Sequence, residues 1–165
     1  MVEAYIALGS NEGAREDNLR KAFEILKGKM TVINASSVYE TKPMYVEDQG
    51  WFLNCVAKVD TSLRPRDLLD FLKEIERELG RKVVLRNGPR IIDLDILFYG
   101  NQIIINNDLE IPHPKIAERL FVLVPLAEVE PTLVHPVLNK TVTELLSKLN
   151  YDESEIRRIT NEDLR

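Results

Sequence analysis

Apolar residues recur along this chain with two periods. Residues 2–8 alternate well enough for a strand, which ends at Gly9-Ser10-Asn11, a cluster that turns the chain. Leu19, Ala22, Phe23 and Leu26 then fall at spacings of three and four, predicting a helix over residues 16–27. Residues 31–39 and 52–61 read as two further strands, and the loop between them, with Pro43, Glu47, Asp48 and Gly50, is long for a plain hairpin. Pro65 suits the first turn of a second helix, whose stripe of Leu68, Leu72, Ile75 and Leu79 runs to Gly80. Residues 91–99 form the most strand-like segment, and Gly100-Asn101 turns it toward a short strand over 103–105. Beyond lie Pro112-His113-Pro114, a short helix over 119–129, and a last helix opened by a capping box from Thr141 to Glu144. The polar stretch from Asp152 reads as a loosely held tail.

Strand, helix, strand, strand, helix, strand is the order of a ferredoxin-like α+β fold, an antiparallel sheet with flanking helices in an α-β-α sandwich. No linker, repeat or low-complexity tract interrupts it, so residues 1–165 read as a single domain. At 44% hydrophobic the chain can bury a core without staples. A net charge of -5 argues against a duplex nucleic-acid partner, which wants an extended basic face. The lone Cys55 sits among alternating apolar neighbours and reads as a core thiol in a reducing cytoplasm. No apolar run approaches the ~18 residues of a membrane span, and the amino terminus lacks the basic-then-apolar pattern of an export signal. The expectation is a cytoplasmic protein with no membrane partner.

One segment reverses the sign of the chain. From Arg81 to Arg90 the only charges are Arg81, Lys82, Arg86 and Arg90, and such a local reversal is what an anion site needs. Directly after it comes Asp93-Leu94-Asp95. Strand alternation puts Leu94, Ile96 and Phe98 on one side and Asp93 and Asp95 on the other, their roots about 6 to 7 Å apart. Oxygen-only ligands favour magnesium, which typically arrives with nucleotide phosphates. The alternative is a strand with one wet face. Gly88-Pro89 fixes a turn before Arg90, whose planar fork can grip a phosphate held by that magnesium, and Arg81 stands at the other hinge of the loop. A merely solvated loop is the competing reading.

The strand over 52–61 supplies another kind of group. Leu53, Cys55, Ala57 and Val59 make its apolar face, while Phe52 and Asn54 project together from the opposite one. An aromatic beside an amide suits a flat heterocycle, although ordinary packing also produces such pairs. His113, stiffened by two prolines, can aim at a phosphate or simply sit in a polar turn, as His135 before Pro136 does. Gly9-Ser10-Asn11-Glu12-Gly13 lacks the lysine and spacing of a phosphate-cradling P-loop.

Several blocks carry a resemblance: residues 4–11, Tyr39-Glu40-Thr41 with Pro43, Phe52-Leu53-Asn54, residues 88–96, Ile111-Pro112-His113-Pro114 and Arg119-Leu120-Phe121. In this order and over nearly the whole chain they resemble the 6-hydroxymethyl-7,8-dihydropterin pyrophosphokinases. The resemblance implies a single catalytic domain, a monomer acting on small molecules, with ATP as co-substrate and two Mg2+ ions held by Asp93 and Asp95. It implies attack of the pterin hydroxymethyl oxygen on the middle phosphorus of ATP, releasing AMP, with Arg81 and Arg90 as catalytic neutralising charges. Thr41, Pro43, Met44, Phe52, Asn54 and Phe121 would line the pterin pocket, and Glu76, Arg81, Arg90, Ile96, His113 and Arg119 would serve the nucleotide. The chain departs from the family pattern in a basic loop one residue shorter than in well-known members. Asn87 stands in place of a tryptophan, Val83 near the place of an arginine, and Asp108 in place of a basic residue. Two other classes compete: a non-catalytic ferredoxin-like binding module, which has no need of the aspartate pair, and a nucleotide-sugar transferase with an Asp-x-Asp metal site, which leaves Phe52 and Asn54 unexplained.

Overall fold

The computed structural model describes residues 1–45, 49–80 and 91–159. Arg81 and Arg90, with the rest of the basic segment, lie outside the described residues. The chain forms β1 (Val2–Ser10), α1 (Arg15–Lys27), β2 (Thr31–Ala35), β3 (Tyr39–Thr41), β4 (Phe52–Thr61), α2 (Pro65–Glu78) and β5 (Asp93–Tyr99). After these come the small pair β6 (Ile104–Ile105) and β7 (Glu110–Ile111), then α3 (Leu120–Val129). A second small pair, β8 (Val134–His135) and β9 (Lys140–Thr141), leads into α4 (Val142–Lys148), and β10 (Ile156–Arg158) follows. The main sheet runs β10-β3-β4-β1-β5, with β2 also on β4, and its pairs are antiparallel.

The period of two in β1 divides the interior. Ala4, Ile6 and Leu8 pack with Phe23 and Leu26 of α1 and Leu72 and Ile75 of α2. Tyr5 and Ala7 face the other way, toward Val122 and Leu126 of α3 and Val142 of α4. Helices therefore cover the sheet on both faces, and the fold is a mixed α/β arrangement around an antiparallel sheet. Cys55 is 1% exposed on the α1/α2 face, where burial pushes its thiol up to about 12. Gly80, at φ 83°, takes the left-handed conformation that ends α2. The capping box forms as the sequence predicts, with the Glu144 N–H donating to Thr141 Oγ1 at 3.1 Å and the Thr141 N–H donating to Glu144 Oε1 at 3.0 Å. Among the described residues no helix is long and apolar enough to cross a membrane.

Three local features differ from the sequence reading. The strand expected over 31–39 is broken into β2 and β3, because Ser36 answers Val56 through a main-chain N–H and a hydroxyl, each at 2.9 Å, instead of continuing the ladder. Phe98 does not share a side with Leu94 and Ile96. The register of β1 with β5 shifts between Tyr5 and Ile6, leaving Leu97 as an extra residue, and this bulge turns Phe98 onto the α3/α4 face. There its ring meets Tyr5 edge-on at 6.0 Å and His135 at 5.6 Å. The stretch from Asp152 is held as far as residue 159, since β10 pairs with β3 and Asp152 caps the turn before it at 2.9 Å.

A polar bridge fastens α3 to the break between β2 and β3. The carboxylate of Glu128 accepts from the Ser37 N–H at 3.0 Å, the Ser37 hydroxyl at 2.9 Å and the Tyr39 hydroxyl at 2.7 Å. Removing this acceptor strands partly buried donors, so Glu128→Ala is expected to lower the unfolding free energy by about 2 kcal/mol in urea titrations. A midpoint unchanged from wild type would show that water replaces the carboxylate without loss.

Candidate active site

The carboxylates and the amide come together because β1 lies between β4 and β5. Gly9 stands opposite Asn54 on one side and Asp93 on the other, and Ala7 stands opposite Asp95. Residues directly opposite share a face, so Asp93, Asp95, Asn54, the bare backbone of Gly9 and the methyl of Ala7 form one floor on the α3/α4 side. Thr41 pairs with Phe52, which extends the floor onto β3. Asp93 and Asp95 remain half-buried, whereas Leu94 and Ile96 are buried on the opposite face.

Above this floor opens a cleft with about 700 Å³ of empty space, part of it open to solvent. Its walls include Thr41, Met44, Phe52, Asn54, Asp93, Asp95, Arg119 and Phe121, all singled out from sequence, together with Gly9, Lys42, Tyr45 and Gln49. Asn54 is 6% exposed, and its amide donates to Thr41 Oγ1 at 2.6 Å. That bond leaves the second N–H and the carbonyl oxygen of Asn54 for a ligand edge. A Cβ on Gly9 would lie 2.8 Å from Asn54 Oδ1, so only glycine leaves the amide where it is. The loop after β3 is tied back by Asn11, whose amide donates to Gln49 Oε1 at 2.7 Å and to the Gly50 carbonyl at 3.1 Å.

Other predicted residues lie outside this cleft. Pro43 is buried and lines an adjoining hollow with Leu149 and Tyr151. Glu76 is 4% exposed, and its carboxylate accepts the Leu94 N–H at 2.9 Å, which pins the start of β5 to α2. Ile96 is 5% exposed in the core against α1 and α2, so only its main chain is left for a ligand. His113 is half-buried, its N–H donating to the Leu97 carbonyl at 3.0 Å and its Nδ1 accepting the Lys115 N–H at 3.1 Å. Burial, with the charges of Arg119 and Lys115 behind it, pushes His113 down to about 4. The ring is therefore neutral at physiological pH, with its proton on Nε2. Asp108 forms a two-pronged ion pair with Arg66, at 2.7 and 2.8 Å.

Sequence reasoning missed Gly9, Ala7, Lys42, Tyr45 and Gln49. From sequence Gly9 is a turn former, and the signal that finds it in the site is its register, since it becomes a floor residue only once β4 and β5 are placed beside it. Among the described residues no group of three or more His, Cys, Asp and Glu side chains gathers around a point.

Sheet order, cleft and carboxylate pair define a mixed α/β protein with an open cleft above an acidic floor. Residues 5–131 match the profile of the family described as 7,8-dihydro-6-hydroxymethylpterin-pyrophosphokinase (HPPK). The chain belongs to that family. It is 51% identical over 128 residues to the 2-amino-4-hydroxy-6-hydroxymethyldihydropteridine pyrophosphokinase of Bacillus subtilis, covering 76% of this chain and 77% of that protein. To the enzyme of the same name from Aquifex aeolicus it is 43% identical over 144 residues, covering 87% and 90%. The folic acid synthesis protein FOL1 of Dictyostelium discoideum is 45% identical over 146 residues, and the match spans 88% of this chain but only 22% of that longer protein. The solved structure of wild-type Plasmodium falciparum HPPK-DHPS shares the fold at a TM-score of 0.73 and 19% identity, over 89% of this chain and 44% of that one.

Two measurements check the geometry without substrate. Gly9→Ala is expected to displace Asn54 from Thr41, seen as a shift of the Asn54 side-chain amide signals in a two-dimensional NMR spectrum; unmoved signals would mean the floor has room to spare. His113 should titrate near pH 4 in the folded protein, against 6.5 for a free imidazole. The unfolded chain then binds the proton first as pH falls, so this contribution to stability is complete above about pH 6.5 and is lost on descent toward 4. A midpoint near 6.5 would place His113 in open solvent.

Proposed function

We propose that the protein transfers the diphosphoryl group of ATP to the hydroxymethyl oxygen of 6-hydroxymethyl-7,8-dihydropterin, giving AMP and the pterin diphosphate, a step of folate synthesis. The observation that carries this reading is the single floor that joins Asp93 and Asp95 to Asn54 and Phe52. A flat bicyclic ring fits between Phe52 and Phe121, with the free edge of the Asn54 amide reading its polar side and Thr41 fixing the amide. The hydroxymethyl group would then lie toward the aspartates, since Gly9 and Ala7 put no bulk between the two halves of the floor.

The donor set fits magnesium: two half-buried carboxylates, oxygen only, beside space that no β1 side chain fills. Asp93 and Asp95 would hold it, and when bound it supplies charge neutralisation of the phosphates and a lowered pKa for the attacking hydroxyl. Arg119 and Lys42 add positive charge at the same cleft. Arg81 and Arg90 enter this reading from sequence alone, as further cations that neutralise the transferring group. Neutral His113 can donate from Nε2 to a phosphate oxygen but carries no charge to it. Glu76 acts indirectly, through the Leu94 N–H that holds the aspartate strand in place. The framework suits a ferredoxin-like core, in which the four strands β2, β4, β1 and β5 lie side by side.

Incubation with magnesium, ATP and the hydroxymethyl dihydropterin should produce AMP, and EDTA should stop it. ADP or inorganic phosphate as the nucleotide product would point instead to a kinase or a hydrolase. Asp95→Ala is expected to abolish turnover while leaving the circular dichroism spectrum unchanged, because the side chain is half-buried and packs no core. Full activity in that variant would remove the metal role from the pair.

A further inference from the structure

Tyr45 was not singled out by sequence and has no place in the mechanism above, yet it makes a dense set of polar contacts at the cleft. Its hydroxyl donates to Glu118 Oε1 at 3.0 Å and accepts from Arg119 Nε at 3.1 Å. A tyrosine hydroxyl has one proton, so directing it at Glu118 turns the oxygen lone pairs toward Arg119. The Arg119 guanidinium carbon also lies 5.4 Å from the centroid of the Tyr45 ring and 5.4 Å from that of Phe121. Lys115 Nζ stands 5.0 Å from the Tyr45 centroid. Tyr45, Arg119 and Phe121 all line the cleft that holds Asp93 and Asp95. Among the described residues the two terminal nitrogens of Arg119 have no acceptor.

A guanidinium bound at Nε and stacked on two rings has lost most of its rotational freedom. Its terminal nitrogens then meet an anion without the ordering cost that a free arginine carries. We propose that Tyr45 is a positioning residue that holds Arg119 in the orientation in which its terminal nitrogens receive the phosphates of the nucleotide. The role rests on the reading of the cleft as an ATP site, and it adds the side chain that sets the aim of its cation. Glu118 belongs to the same device, because it fixes the direction of the Tyr45 hydroxyl.

The test is a double-mutant cycle with steady-state kinetics for both substrates, using Tyr45→Phe, Tyr45→Ala, Arg119→Ala and the Tyr45→Ala/Arg119→Ala pair. Tyr45→Phe keeps the ring and loses the hydrogen bonds, and should raise the KM for ATP about threefold; Tyr45→Ala should raise it about tenfold. The KM for the pterin should stay within about twofold in both. In the Arg119→Ala background the Tyr45 substitution should have no further effect. Equal effects in both backgrounds, or an effect confined to the pterin KM, would overturn the role. The Arg119 Nε–H signal in a 15N-edited NMR spectrum decides the point without turnover: it should be protected from solvent exchange in wild type and lost in Tyr45→Phe, and a signal unaffected by Tyr45→Phe would sink the proposal. Failure of the wild type to release AMP would count against the proposed reaction, whereas AMP release with additive substitutions would count against Tyr45 alone.

Discussion

In β1, Gly9 and Ala7 face one core while Ala4, Ile6 and Leu8 face the other, and everything at the site follows from how that strand is held in register. A slip of one residue in a strand moves every side chain to the opposite face. Here it would bring Leu94 and Ile96 of β5 into the cleft and bury both carboxylates against α1 and α2. What opposes the slip is the apolar set on the α1/α2 face, where Ile6 and Leu8 meet Phe23, Leu72 and Ile75 with almost no exposure. The buried carboxylate of Glu76 adds a polar check at the same strand, since it accepts the Leu94 N–H. The aspartates are thus placed largely by side chains packed on the opposite face of the sheet.

The floor and the rim of the cleft carry opposite charge. Asp93 and Asp95 stand below, Lys42 and Arg119 border the opening, and Lys115 lies close by against Tyr45. Two carboxylates alone would repel a polyphosphate, so under the proposed reaction Asp93 and Asp95 would hold a divalent cation that offsets their charge. The rim can attract it unaided. His113 registers the same field from outside the cleft, its proton disfavoured first by burial and then by Arg119 and Lys115. An acidic chain of net charge -5 therefore gathers cations at one cleft.

Local periodicity made much of this readable before any strand was paired. The shared face of Phe52 and Asn54, and that of Asp93 and Asp95, depends only on alternation within one strand, and both faces lie where they were expected. What escaped the sequence depends on partners far along the chain. The break at Ser36 and Ser37 needs Val56 and Glu128, the latter 91 residues from Ser37. The turning of Phe98 needs the bulge against β1, and Tyr45 finds Arg119 across 74 residues. The family resemblance implies a nucleotide contact for Ile96, yet alternation alone puts its side chain with Leu94 in the core, so the motif and the period point different ways. β10 is three residues long, with Ile156 its one apolar position, too short for a periodic signal, and it forms because β3 offers an edge.

The break between β2 and β3 also bears on the site through α3. Glu128, which closes the break by gripping Ser37 and Tyr39, lies seven positions after Phe121, which walls the cleft. Seven residues are two turns of helix, about 10 Å along the axis, and they return a side chain to nearly the same direction. The anchor and the wall therefore sit on one stripe of α3, facing the sheet. Turning the helix by a single residue, about 100°, would withdraw the carboxylate from Ser37 and the ring from the cleft together. The irregularity that the periodic pattern could not show is thus part of what aims an aromatic wall at the floor built by β1, β4 and β5.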